Sequence, residues 1–297
     1  MIVLKSDQLN VEFQTLGGAL SSIKDKDDVE YLWQGDPTYW SGQAPVLFPI
    51  CGSVRNDTVL YDKEDGSQKE GKIPRHGLVR KKDFTLVEQT DNSVTFAIED
   101  DEEMYANYPY HFRLEITYTV TGKTIRTQYK VYNKELEKSM PYFIGGHPSF
   151  NCPLLDGEVY EDYYLEFEKP ETCTVPKPFP ETGMLDFKDR SSWLNNQKEI
   201  DLNYDFFSYD AVTLDELESR TVALRSRKHD KGLKLHFKEF PNLIVWSTLN
   251  KGPFIALEPW SGLSTSLEEG DRLEDKKDVR VLKPGEFDQL GFDIEIL

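Results

Sequence analysis

Hydrophobic and polar residues alternate along most of the chain with the two-residue period of half-buried strands. In "HFRLEITYTV" the side chains of Phe112, Leu114, Ile116, Tyr118 and Val120 fall on one face, and Arg113, Glu115, Thr117 and Thr119 on the other. The next run, "TGKTIRTQYKVYN", carries a turn signal at Gly122 and a second alternation, so the two segments predict an antiparallel hairpin. "LNVEFQ", "SVTFAIE", "YYLEFE", "LKLHF", "LIVWS" and "LGFDIEI" read the same way. Helix signals are sparse: "SYDAVTLDELES" predicts a turn or two, and no window sustains apolar residues at i, i+3, i+4 and i+7 for several turns. Polar stretches at "YDKEDGSQKEGKIPRHG" and "KPFPETGMLDFKDRSSWLNNQKE" read as long excursions between strands. Strand-like segments continue on both sides of each excursion, and no linker or internal repeat is visible. The pattern predicts an all-β chain, one large antiparallel β-sandwich over residues 1–297.

Charge and composition then narrow the partners. With 53 acidic and 35 basic residues the net charge is -18, which disfavours attraction to nucleic acid or to an anionic membrane and leaves small molecules as the expected ligands. The three cysteines, Cys51, Cys152 and Cys173, have no CxxC or CxxH spacing. The five histidines, at 76, 111, 147, 229 and 236, include no HExxH pair. Neither metal nor cofactor is expected: there is no GxGxxG opening a helix, no GxxxxGK[ST] and no GxSxG elbow. "MIVLKSDQLNVEF" goes directly into strand-like alternation, and no apolar run is long enough to span a bilayer. The expectation is a soluble cytoplasmic protein, monomeric or homodimeric.

Candidate chemistry lies where polar residues occupy apolar or constrained places. In "MPYFIGGHPSF" an apolar run ends in two glycines, His147 and Pro148. Glycines permit backbone angles or close approaches that a Cβ forbids, and the proline pushes His147 towards an extended conformation. An ordinary strand-to-loop corner has the same composition. "GPFIALEPW" puts Glu258 at the end of an apolar run and beside Trp260, where desolvation would raise a carboxyl pKa towards that of a useful base. An exposed strand-end glutamate is the alternative. "IPRHGLVR" places His76 between Arg75 and Arg80, in a setting where imidazoles also serve loop backbone. In "FSYDAVTLD", Asp210 is a candidate polar contact or a simple turn residue.

Taken together, "LFPICGSVRND", "IPRHGLVR", "YFIGGHPSF", "FSYDAVTLD" and "NLIVWSTLNKGPFIALEPWSG" resemble, in order and approximate spacing, the aldose 1-epimerase (galactose mutarotase-like) family, with "VEFQTLGGALSSI" extending the match towards the N-terminus. The chain looks most like a divergent bacterial branch. The resemblance implies a large antiparallel β-sandwich with its site in a cleft across one sheet. It implies acid/base ring opening that interconverts the α and β anomers of a hexose, with Glu258 as general base, His147 as general acid, and His76 and Asp210 holding sugar hydroxyls. Trp246 and Trp260 are candidate faces for the C–H side of a pyranose, or else core; Tyr39, Trp40 and Phe48 carry the same ambiguity. One departure stands out. Where archetypal galactose mutarotases have Gly-Arg-x-x-Asn-Arg, this chain has "GSVRND", with Ser53 and Asp57 at the arginine positions, which makes Arg55 the substitute candidate for a sugar contact. A related branch acts on hexose 6-phosphates and needs a cationic pocket, which Arg55, Arg75, Arg80, Lys81 and Lys82 could supply. A non-catalytic sugar-binding or sensor protein on the same fold is a further alternative. A glycoside hydrolase pairing Asp210 with Glu258 would leave the histidine motifs unexplained.

Overall fold

The computed structural model describes residues 2–62 and 66–297. Two antiparallel sheets carry the fold. The larger has nine strands, in the order 184–201, 163–179, 221–226, 232–236, 287–296, 124–133, 112–121, 93–99 and 85–89. The hairpin expected around Gly122 is present, with Thr121 paired to Thr124 and the register continuing to Phe112 and Asn133. Its alternation works as expected: Phe112, Leu114, Ile116, Tyr118 and Val120 are buried, and the residues between them are half-buried.

The second sheet holds the candidate site. Its strands run Val212–Leu214, Asn242–Trp246, Phe254–Trp260, Gly145–Gly146 and Val46–Leu47, and Ser149–Asn151 also pairs with Phe254–Trp260. Every residue of Phe254–Trp260 is buried, so this strand shows no polar alternation. One face, with Ile255 and Leu257, joins the common core. The other carries Phe254, Ala256, Glu258 and Trp260, and cross-strand pairing sets Ile244 beside Glu258 and Trp246 beside Ala256. Gly146 packs against the nine-stranded sheet, and Gly145 against its own neighbouring strand. A Cβ added to Gly146 would lie 2.9 Å from the Phe292 ring and from Tyr129 Oη, both on the nine-stranded sheet, and one added to Gly145 would lie 2.9 Å from the Pro259 carbonyl oxygen. These glycines therefore serve close packing.

Two segments differ from expectation. "SYDAVTLDELES" forms no helix; its centre, Val212–Leu214, is a buried strand pairing with Leu243–Val245, because β-branched and apolar residues buried on both faces favour the sheet. "KPFPETGMLDFKDRSSWLNNQKE" is no loop: Tyr163–Phe179 and Met184–Asp201 form a long two-stranded arm with four register shifts. Those bulges, together with Pro170, Pro176 and Pro178, break the two-residue period that marks the other strands. The first excursion is also partly paired, Thr58–Asp62 with Gln68–Lys72, and its residues 63–65 lie outside the described residues. Among the described residues the α-helix is Glu102–Asn107, capped by Asp101 Oδ1, which accepts from the Met104 amide at 2.7 Å. No helix among them is long and apolar enough to cross a membrane.

Candidate active site

Thr213, Ile244, Trp246, Glu258 and Trp260 of the second sheet form the floor of a cleft of about 860 Å³, counting its open mouth. His147 enters from the Gly-Gly-His-Pro corner, whose backbone is fixed on both sides. The His147 amide donates to the Pro45 carbonyl at 3.0 Å, and the Leu257 amide donates to the Pro148 carbonyl at 3.1 Å. The second bond ties the corner to the strand that carries Glu258. As a result His147 Nε2 lies 3.3 Å from Glu258 Oε1, and both side chains are almost fully buried, at 6% and 2% exposure.

Aromatic rings hold the imidazole in place. Trp40 stacks on it, with centroids 4.7 Å apart and planes at 21°, while Trp246 and His76 meet it edge-on, each at 5.5 Å. His76 has φ 69°, and its amide donates to the Gly52 carbonyl at 2.7 Å. The Gly52 amide donates to His76 Nδ1 at 3.3 Å, which leaves the proton of the neutral ring on Nε2. The His76 ring also meets Trp260 edge-on at 5.6 Å.

Burial governs the electrostatics. It pushes His147 down to about 3, helped by Arg80 and Arg75, and pushes His76 well below the usual imidazole range, with His147 and the same arginines adding to the effect. It raises Glu258 well above the usual carboxylate range; Arg75 and the Trp260 indole act in the opposite direction, and Asp210 adds to the rise. His147 Nδ1, Glu258 Oε2 and Trp260 Nε1 are buried without a protein partner at hydrogen-bonding geometry. Such orphaned polar atoms inside a cleft are costly, and ligand hydroxyls can satisfy them.

The sequence-predicted residues do not all converge. His147, Glu258, His76, Asp210 and Trp246 line the cleft. Asp210, with φ 146°, accepts from Arg75 Nη2 at 3.0 Å and from the Ala211 amide at 2.8 Å, so it is a rim residue paired to a cation. Arg55 is a correction: it is not among the cleft-lining residues. Its guanidinium donates to Asp271 Oδ1 at 2.8 Å and to the carbonyls of Ser266, Leu267 and Glu269 at 3.3, 3.3 and 2.9 Å. Arg75 and Arg80 supply the cations instead. Arg75 also bonds Ser53 Oγ at 2.9 Å, whereas the half-buried Arg80 guanidinium has no ion-pair or hydrogen-bond partner among the described residues. Lys82 is held by Asp101 and Glu103, outside the cleft, and Phe48 is core. Sequence reading missed the arm, whose tip residues Pro178, Gly183, Met184 and Leu185 form one wall.

This cleft can be set beside known proteins. The family model described as aldose 1-epimerase matches residues 1–279. The chain is 60% identical to the chromosomal LacX protein of Lactococcus lactis subsp. lactis, over 100% of this chain and 99% of that one. Among crystal structures, it is similar to a galactose mutarotase related enzyme from Lactobacillus acidophilus, with 29% identity, TM-score 0.92, and coverage of 100% and 97% of the two chains. It is also similar to a galactose mutarotase-like protein from Lactobacillus casei, with 29% identity, TM-score 0.90 and full coverage of both chains. The match of the family model over nearly the whole length, together with these relatives, establishes that the chain belongs to the aldose 1-epimerase family.

Proposed function

We propose that the protein is a mutarotase that interconverts the α and β anomers of a hexose, with Glu258 as base and His147 as acid. The observation that carries this reading is the buried His147–Glu258 contact of 3.3 Å on the floor of an open cleft. Glu258 takes the proton from the O1 hydroxyl, and His147 Nε2 delivers one to the ring oxygen. The C1–O5 bond breaks as the C1 carbonyl forms, rotation about C1–C2 exposes the other face, and the steps reverse. No electrons are exchanged, and the pair ends with the proton count it began with.

That count explains why the pair can be buried. With the cleft unliganded, burial favours neutral Glu258 and neutral His147. The reactive form differs only in having that one proton on His147. Arg75 and the Trp260 indole favour the charge on Glu258, and sugar hydroxyls replace water as donors to it. His76 Nε2–H and Asp210 are the polar contacts to other hydroxyls, and Trp40 and Trp246 supply apolar faces. The exchange rate between the anomeric C1–H resonances of galactose or glucose, measured by magnetisation-transfer NMR, tests the reading. The protein accelerates it, and His147→Asn lowers that acceleration about 10²–10⁴-fold while the fold is retained. Unchanged acceleration in the variant removes His147 from the mechanism.

A second reading, a hexose phosphate as substrate, is favoured by one observation. Arg80 enters the cleft with no counterion among the described residues, in a chain of net charge -18. A non-catalytic sugar binder on the same fold would bind sugar and leave the exchange rate unchanged.

A further inference from the structure

Arg55 does not face the cleft, yet its bonding pattern reaches the cleft wall. Its guanidinium gathers three carbonyls and one carboxylate of the segment 266–271. Lys276 braces the same segment from within: it is 5% exposed, and its Nζ donates to Thr265 Oγ1 at 2.7 Å and to the Gly270 carbonyl at 3.1 Å. The segment in turn grips the arm. The Leu185 amide donates to the Thr265 carbonyl at 3.1 Å, and the Leu267 amide donates to the Leu185 carbonyl at 2.9 Å. Leu185 and its neighbours Gly183 and Met184 line the cleft. The strand that turns there is at the edge of its sheet, so its tip has no other strand to hold it on that side.

We propose that Arg55 is a positioning residue: through the segment 265–271 it fixes the tip of the two-stranded arm as the substrate-facing wall of the cleft, and so sets affinity for the sugar without taking part in proton transfer. The role in turnover rests on the mutarotase reading; the mechanical role does not. The guanidinium divides the work between two nitrogens, Nη2 towards the three carbonyls and Nη1 on the Asp271 carboxylate, a two-pronged contact that the single nitrogen of lysine does not reproduce. The backbone bonds that fix the His147 corner, His147 amide to Pro45 carbonyl and Leu257 amide to Pro148 carbonyl, do not involve the segment 265–271, so the His147–Glu258 pair should keep its geometry when the clamp is loosened.

The test compares wild type with Arg55→Met, and with Asp271→Asn as a milder variant that keeps the carbonyl contacts. Hydrogen–deuterium exchange is read at the Leu185 and Leu267 amides, and KM and kcat are read for the hexose the wild type turns over. The expected result is faster exchange at both amides, a KM raised about tenfold or more for Arg55→Met, a smaller rise for Asp271→Asn, and kcat within about twofold of wild type with an unchanged pH profile. Protection at Leu185 that is unchanged in Arg55→Met overturns the clamp, whatever the enzyme does. Faster exchange with KM unchanged, or with kcat falling in step with KM, overturns its role in affinity. A wild type without turnover sinks the mutarotase reading and the affinity role with it, while the exchange measurement still decides the clamp.

Discussion

At the scale of single residues, the site rests on two groups that burial drives in opposite directions. Native His147 is held below its ordinary value of 6.5, and Glu258 above its ordinary 4.5, so burial shifts the pair's proton towards Glu258. The same two groups in the unfolded chain carry two protons below pH 4.5, one between 4.5 and 6.5, and none above 6.5. The depressed imidazole therefore loses stability as pH falls below 6.5, and the raised carboxyl loses it as pH rises above 4.5, so the two slopes oppose each other between those values. Glu258→Gln leaves only the depressed imidazole, whose contribution rises with pH up to 6.5 and is then flat. The difference in unfolding free energy, variant minus wild type, should grow as pH rises above 4.5 in urea denaturation, with a slope of at most about 1.4 kcal/mol per pH unit. A difference independent of pH contradicts the neutral-pair description. Both residues were legible in the sequence, because Gly-Gly-His-Pro and an apolar run ending in glutamate are local patterns. Arg55 was misplaced for the opposite reason. A long side chain near a cleft segment goes where acceptors are, and the carbonyls that hold it lie more than two hundred positions away in the sequence.

At the scale of elements, the strand Phe254–Trp260 has a chemical face and a structural face. Leu257, fully buried in the common core, neighbours Glu258 in sequence but points the other way. Leu257→Ala should cost about 2–5 kcal/mol of stability by denaturant titration, with the pH dependence of turnover unchanged. A variant with shifted pH dependence would show that the two faces are coupled. Periodicity was a reliable guide for such elements wherever one face is solvated, as in Phe112–Thr121. It failed for the arm, where bulges and prolines disrupt the alternation, and for Val212–Leu214, which has too few residues to show a period. Since the arm tip is one wall of the cleft, a part of the site was hidden with it.

At the scale of the whole molecule, a chain of net charge -18 places Arg75 and Arg80 in its cleft, with Asp210 neutralising the first of them. An anionic sugar approaching this surface is repelled by the total charge and attracted by the cleft, and added salt weakens both effects. If a hexose phosphate binds through Arg80, its KM should change with ionic strength between about 0.05 and 0.5 M, and Arg80→Gln should weaken it more than it weakens an uncharged hexose. Equal losses for both sugars would assign Arg80 to hydroxyl binding. Membership of the aldose 1-epimerase family was legible from five motifs spread along the chain. The full lining of the cleft was not, because Arg80 and the arm tip come together only in the fold. The central claim, that Glu258 acts as base for ring opening, is tested most directly by polarimetry of freshly dissolved α-galactose, α-glucose and α-glucose 6-phosphate with wild type and Glu258→Gln. The expected result is accelerated decay of rotation for at least one sugar with the wild type, and a loss of about 10²–10⁴-fold in a folded Glu258→Gln variant. Equal acceleration by both proteins would contradict it.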